Sequence, residues 1–120
     1  MKKIIIVVFT MLFSQTVLAN SVQKLDDRII ITGKIARIVT EGTNFISVWL
    51  DGDGDNSVCA GGARWTIQVA GDELHEEKYS LLLAAATTGR TVKLMHLFNQ
   101  GCGNWNTHRI YYVDVLFDGS

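Results

Sequence analysis

Two cysteines, three histidines and a run of aspartates are the side chains with the widest chemical scope in this 120-residue chain. Cys59 and Cys102 each sit in a glycine-rich stretch, Val58-Cys59-Ala60-Gly61-Gly62 and Gly101-Cys102-Gly103. An even pair on two loops reads most simply as one disulfide. The rival, a metal or redox pair, lacks C-x-x-C spacing and a histidine at zinc spacing. The bridge would enclose about 44 residues and contribute at most roughly 4 kcal/mol through chain entropy, a large share of a small domain's stability. His75, His96 and His108 have neither the i, i+4 spacing of a helical metal site nor a serine elbow beside them. No glycine-rich phosphate cradle or catalytic carboxylate pair accompanies them, so the expectation is a protein that is not an enzyme, with no catalytic residue and no cofactor.

The segment Asp51-Gly52-Asp53-Gly54-Asp55-Asn56 alternates oxygen ligands as a calcium loop does. Asn56 and Gly62, however, stand where an EF-hand needs its glycine and its bidentate glutamate. A solvated turn, rich in residues that tolerate tight backbone angles, is the preferred reading, and no metal site is assigned. More suggestive is Asn104-Trp105-Asn106, an indole between two amides on a segment that the disulfide would tether. Aromatic faces with a few fixed polar groups hold sugars and extended ligands well. Asn104, Trp105, Asn106 and Trp49 are the candidate ligand-binding residues, the plainer alternatives being that Trp105 caps the core and Trp49 packs on a neighbour.

The elements that must position these residues follow from apolar periodicity. Arg28 to Val39 alternates with Ile29, Ile31 and Ile35 on one face, and Gly33 suggests a bulge or bend. A turn at Glu41-Gly42-Thr43-Asn44 leads to Phe45–Leu50, where Ile46, Val48 and Leu50 share a face opposite Trp49. Trp65, Ile67 and Val69 mark a third strand. Asp72 is the expected N-cap of a helix ending at Gly89. Val92 to Phe98 gives a fourth strand and Arg109 to Phe117 a fifth, with Tyr111, Val113, Val115 and Phe117 on one side.

The expected class is mainly β with one helix, in the order β-β-β-α-β-β. A sheet of such short strands satisfies its edges and core by closing into a five-stranded Greek-key barrel, the oligonucleotide/oligosaccharide-binding (OB) fold. The helix is apolar all round at Tyr79-Ser80-Leu81-Leu82-Leu83-Ala84-Ala85-Ala86. Either a second subunit covers Tyr79, Leu82, Leu83 and Ala86, or alanine serves simply as the best helix former.

Lys2 and Lys3, the apolar run Ile4–Phe13 and Val17-Leu18-Ala19 have the order of a secretory signal with cleavage near Ala19. The run is shorter than the roughly 20 residues that span a bilayer. The reading is therefore a signal peptide at 1–19, a flexible mature N-terminus at 20–26 and one domain at 27–118, periplasmic or secreted and without a membrane span. Without Lys2 and Lys3 the 11 basic residues become 9 against 12 acidic ones. No basic cluster is present, which argues against nucleic acid as a partner.

The stretch Cys59-Ala60-Gly61-Gly62 before the third strand and the helix-to-strand step Thr88-Gly89-Arg90-Thr91-Val92 resemble those of pentameric bacterial toxin B subunits. The subtilase-cytotoxin and pertussis-like B subunits are the nearest likeness, together with a broader set of small exported proteobacterial proteins. The resemblance spans nearly the whole mature chain. It implies an OB fold, a ring of five subunits with helices lining the centre, and glycan recognition on the outer barrel face. No matching cluster of serine, aspartate and tyrosine is present, so no sugar-binding residues are carried over. The expected function is an exported binding module for a glycan or protein, the alternative being a small periplasmic accessory protein without a small ligand.

Overall fold

The computed structural model describes residues 21–51 and 58–117. The signal-peptide reading and all of the aspartate loop after Asp51 lie outside the described residues. The elements are β1 (Ser21–Lys24), β2 (Arg28–Glu41), β3 (Phe45–Leu50), β4 (Arg64–Gln68), α1 (His75–Thr88), β5 (Thr91–Leu97), β6 (His108–Arg109) and β7 (Tyr112–Val115). The described chain is thus mostly β with one helix.

The strands form one mixed sheet in the order β6-β4-β3-β2-β5-β7, with β1 also paired to β2. Every pairing is antiparallel except β4 with β6. The 14-residue β2 organises it: Arg28–Lys34 pairs with β5, and Ile35–Glu41 pairs with β3. At the start of the second half the register shifts between Ile35 and Arg37, leaving Ala36 without a partner on β3. That extra residue brings Ile38 back into phase with Ile29 and Ile31, and turns Arg37 outward. The expected irregularity at Gly33 is corrected by this position, since Gly33 pairs regularly with Val92.

Seven strands replace the expected five, for two reasons. Ser21–Lys24 lies in the segment read as a flexible lead-in, yet it pairs with Ile29–Thr32 along β2. The expected last strand divides because its partners change: His108 and Arg109 run parallel to Trp65 and Thr66, whereas Tyr112–Val115 pairs with Val92–Met95. Between them Ile110 N–H donates to Thr66 O at 2.8 Å, and Tyr111 N–H to Met95 O at 2.6 Å. The break also scatters the expected common face: Val115 is buried, but Tyr111 and Phe117 are exposed.

The helix starts later than expected, with Leu74 at the N-cap; Asp72 instead supports the preceding turn, its Oδ1 accepting from Leu74 N–H at 3.0 Å. Glu76 and Glu77 occupy the first turn, where the helix dipole favours them. At the other end Gly89 is left-handed, with φ of 68°, and Arg90 N–H reaches Ala85 O at 2.9 Å.

Leu82 and Ala85 insert into the core of Ile29, Ile31, Ile46, Val48, Leu50, Trp65, Ile67, Val92, Leu94, Ile110 and Val115, with Tyr79 packed at its edge. Leu82, one of the four residues read as an oligomer interface, is fully buried within its own subunit. Leu83 and Ala86 do face outward, beside exposed Leu81.

The two faces of α1 should therefore respond differently to truncation. Leu82→Ala is expected to cost about 3 kcal/mol, and Leu83→Ala less than about 0.5 kcal/mol in the monomer, read from urea denaturation midpoints.

Candidate functional site

Cys59 and Cys102 are disulfide-bonded across 43 positions of sequence, with Cα atoms 5.7 Å apart. The bridge ties the connection before β4 to the one after β5, and backbone contacts continue the tie. Gly61 N–H donates to Asn106 O at 2.8 Å. A Cβ on Gly61 would lie 2.8 Å from the carbonyl oxygens of both Trp105 and Asn106, so only glycine permits this approach. Thr107 Oγ1 donates to Asn104 O at 2.7 Å and lies 2.8 Å from Thr66 Oγ1, seating the loop on β4.

Within this frame Trp105 and Asn106 both adopt positive φ, 58° each. Left-handed backbone costs a non-glycine residue on the order of 1–2 kcal/mol, less for asparagine, and it persists where surrounding contacts over-determine it. Here it turns the Trp105 indole back over the sheet, 48% exposed.

On the sheet, register supplies the rest of the site. Arg37 of β2 pairs with Trp49 of β3, and Trp49 pairs with Arg64 of β4, so the three side chains form a row across one face. The Arg37 guanidinium lies 4.6 Å from the Trp49 ring centroid, and that of Arg64 lies 5.3 Å from the same ring. Arg64 also stands 3.9 Å from the Trp105 ring, which makes a T-shaped contact with Phe45, ring centroids 5.2 Å apart. Arg64 Nε donates to Ser47 Oγ at 3.0 Å, and its Nη2 pairs with Glu41. Two cations, one carboxylate and three aromatic rings thus alternate on this face. Each cation–π contact is worth about 0.5–2 kcal/mol, depending on desolvation.

Of the sequence-predicted binding residues, Trp49 and Trp105 meet through Arg64, and Asn104 and Asn106 are the exposed chain neighbours of Trp105. The sequence reading missed Arg64 and Arg37. Arg64 appears in sequence only as an outward polar position of a strand, and its role arises from the Trp49 register.

Beneath the disulfide lies a buried cluster of Trp65, His96 and His108, none of them assigned chemistry from sequence. His108 stacks on Trp65 at 4.8 Å and meets His96 edge-on at 5.2 Å. His96 Nδ1 is 3.1 Å from both the N–H nitrogen and the carbonyl oxygen of Arg109, while Nε2 is 3.8 Å from Cys59 Sγ. Burial holds the His96 imidazole below its ordinary value; the Arg109 backbone contact opposes this and the Arg109 charge adds to it.

A cleft of about 420 Å³ opens between the start of α1, β4 and the β6–β7 junction. Two of the charges that line it engage each other: Lys78 Nζ donates to Asp72 Oδ2 at 2.7 Å, and also to Ile110 O at 3.0 Å. The aromatic face around Arg64 is therefore the stronger candidate for ligand contact. No protein-family model, curated protein or solved structure matches the chain.

Two measurements check this geometry. Gly61→Ala should lower stability by about 1–3 kcal/mol in chemical denaturation, because its Cβ meets backbone rather than a movable side chain. Because the folded His96 value lies below its unfolded value of 6.5, the unfolded chain binds more protons than the fold as pH falls from there. Its stability contribution is complete above that pH and is lost downward through the folded value. His96→Gln should accordingly show a shallower loss of melting temperature between neutral pH and about pH 5 than the wild type.

Proposed function

We propose that the chain is an exported, non-enzymatic binding module that holds a glycan on the face formed by Trp49, Arg64 and Trp105. The observation that carries the reading is the Trp105 indole, held in a left-handed loop and stacked on an arginine that also faces Trp49. Indole faces suit the C–H faces of sugar rings, the amides of Asn104 and Asn106 suit hydroxyls, and Arg37 and Arg64 suit a carboxylate on the sugar. An intramolecular disulfide fits an oxidising compartment, periplasmic or extracellular.

In this reading the sheet is an OB barrel. The bonds from Ile110 to Thr66 and from Tyr111 to Met95 support closure, because they join residues near the two ends of the strand order. The ring assembly implied by the toxin B-subunit resemblance would use the outward helix face at Leu81, Leu83 and Ala86. A protein ligand on the same aromatic face is the neighbouring possibility. The second reading, an accessory protein without a small ligand, draws on one observation: Arg64 is already ion-paired to Glu41.

A glycan array probed with the mature protein decides between them. Binding that falls at least about tenfold in Trp105→Ala and Trp49→Ala supports the first reading, as loss of an aromatic anchor does elsewhere. Background signal for the wild type leaves the accessory reading in possession. Light scattering tests the assembly separately, a ring-sized species being expected and a monomer at high concentration counting against it.

A further inference from the structure

We propose that the Cys59–Cys102 disulfide is an exchange site for a low-molecular-weight thiol, attacked at Cys102 with Cys59 as the leaving sulfur, and that His96 positions a hydrogen-bond donor on that leaving sulfur. Three independent features of the geometry carry this.

The first is access. Cys59 is fully buried and Cys102 is exposed. Gly101 and Gly103 flank Cys102, so no neighbouring side chain in the sequence shields it. Thiolate attack on a disulfide runs in line with the sulfur–sulfur bond, and the attacked sulfur must be accessible. An approach from solvent to Cys102 meets that requirement, whereas attack on Cys59 would have to come from within the core.

The second is the leaving group. A thiolate expelled into apolar surroundings is disfavoured, and a hydrogen-bond donor beside it reverses this. His96 Nε2 stands 3.8 Å from Cys59 Sγ. At Nδ1 the Arg109 backbone offers both its N–H and its carbonyl, each at 3.1 Å. When the Arg109 N–H donates to Nδ1, the neutral ring carries its hydrogen on Nε2, facing Cys59 Sγ, and this is the tautomer that the proposal requires. Third, Arg109 packs its Cγ against the position of a Cβ on Gly103, and its Nη1 reaches Gln100 O at 3.4 Å, so a cation borders the loop that an incoming thiolate approaches.

The step balances as a simple exchange. A small thiol loses its proton to solvent, and its sulfur bonds to Cys102 Sγ. The electron pair of the broken bond goes to Cys59 Sγ, which accepts a hydrogen bond from His96 Nε2. The incoming thiol is oxidised to a mixed disulfide and Cys59 is reduced. The loop carrying Trp105 then keeps the Gly61–Asn106 backbone bond but no covalent tie, which alters the Trp105–Arg64 stack. Nothing in the step depends on the glycan reading.

The test treats the folded, oxidised protein with millimolar glutathione near neutral pH, quenches with acid, alkylates free thiols and maps the peptides. One glutathione on Cys102 with an alkylated Cys59 is expected. An intact disulfide, under conditions where the urea-unfolded protein exchanges, overturns the proposal, as does an adduct on Cys59 or an even distribution. For His96, His96→Leu should slow adduct formation about tenfold, and His96→Gln, which keeps an amide donor near the Nε2 position, should restore most of the rate. Unfolding would expose the bridge and speed the reaction, so a slower rate cannot come from lost folding. An unchanged or faster rate in His96→Leu overturns the part assigned to His96.

Discussion

The aromatic face depends on two glycine-rich connections being pinned side by side, covalently through Cys59 and Cys102 and by the close approach of Gly61 to the backbone of Trp105 and Asn106. Neither tie suffices alone. A disulfide fixes the separation of two chain positions but leaves the loop between Cys102 and β6 free to swing. The Gly61 contact fixes that loop's orientation, but only where the chains already lie together. Combined, they hold a tryptophan in a backbone conformation that it would otherwise leave.

The sheet contributes by register rather than by proximity in sequence. Arg37, Trp49 and Arg64 come from three strands and meet because each lies opposite the next in the ladder. The bulge at Ala36 is part of this arrangement: without the extra residue, Arg37 would turn to the core side and Ile38 to the outside. The buried hydroxyls below the face are satisfied by the same components, Ser47 by Arg64 and Thr66 by Thr107.

Much of this was legible in the residues themselves. The two-residue period of a strand over Phe45–Leu50 put Trp49 opposite Ile46 and Val48, Gly89 announced the helix end, and two cysteines among glycines announced the bridge. What escaped depended on distant partners. Ser-Val-Gln-Lys has no apolar alternation, and β1 exists because β2 offers it a ladder. Alanine gives no signal of a bulge, so the irregularity was expected at Gly33. The change of partner at Ile110 is invisible in a run of β-forming residues. Leu82 and Leu83 look alike in an apolar helix, and only packing against the sheet separates the buried one from the exposed one.

The topology also constrains how the chain can reach this state. The ladders of β2 with β5 and of β4 with β6 join segments far apart in sequence, so large loops must close before those bonds form. Such non-local architectures belong to the slower folding classes, about milliseconds to seconds. Until His108 and Arg109 arrive, the edge of β4 is bare and the ring of Trp65 lacks its stacking partner. The arrival of His108 and Arg109 therefore acts as a completion step: a chain ending before them would present an unpaired strand beside an indole without its stacking partner, a combination prone to self-association.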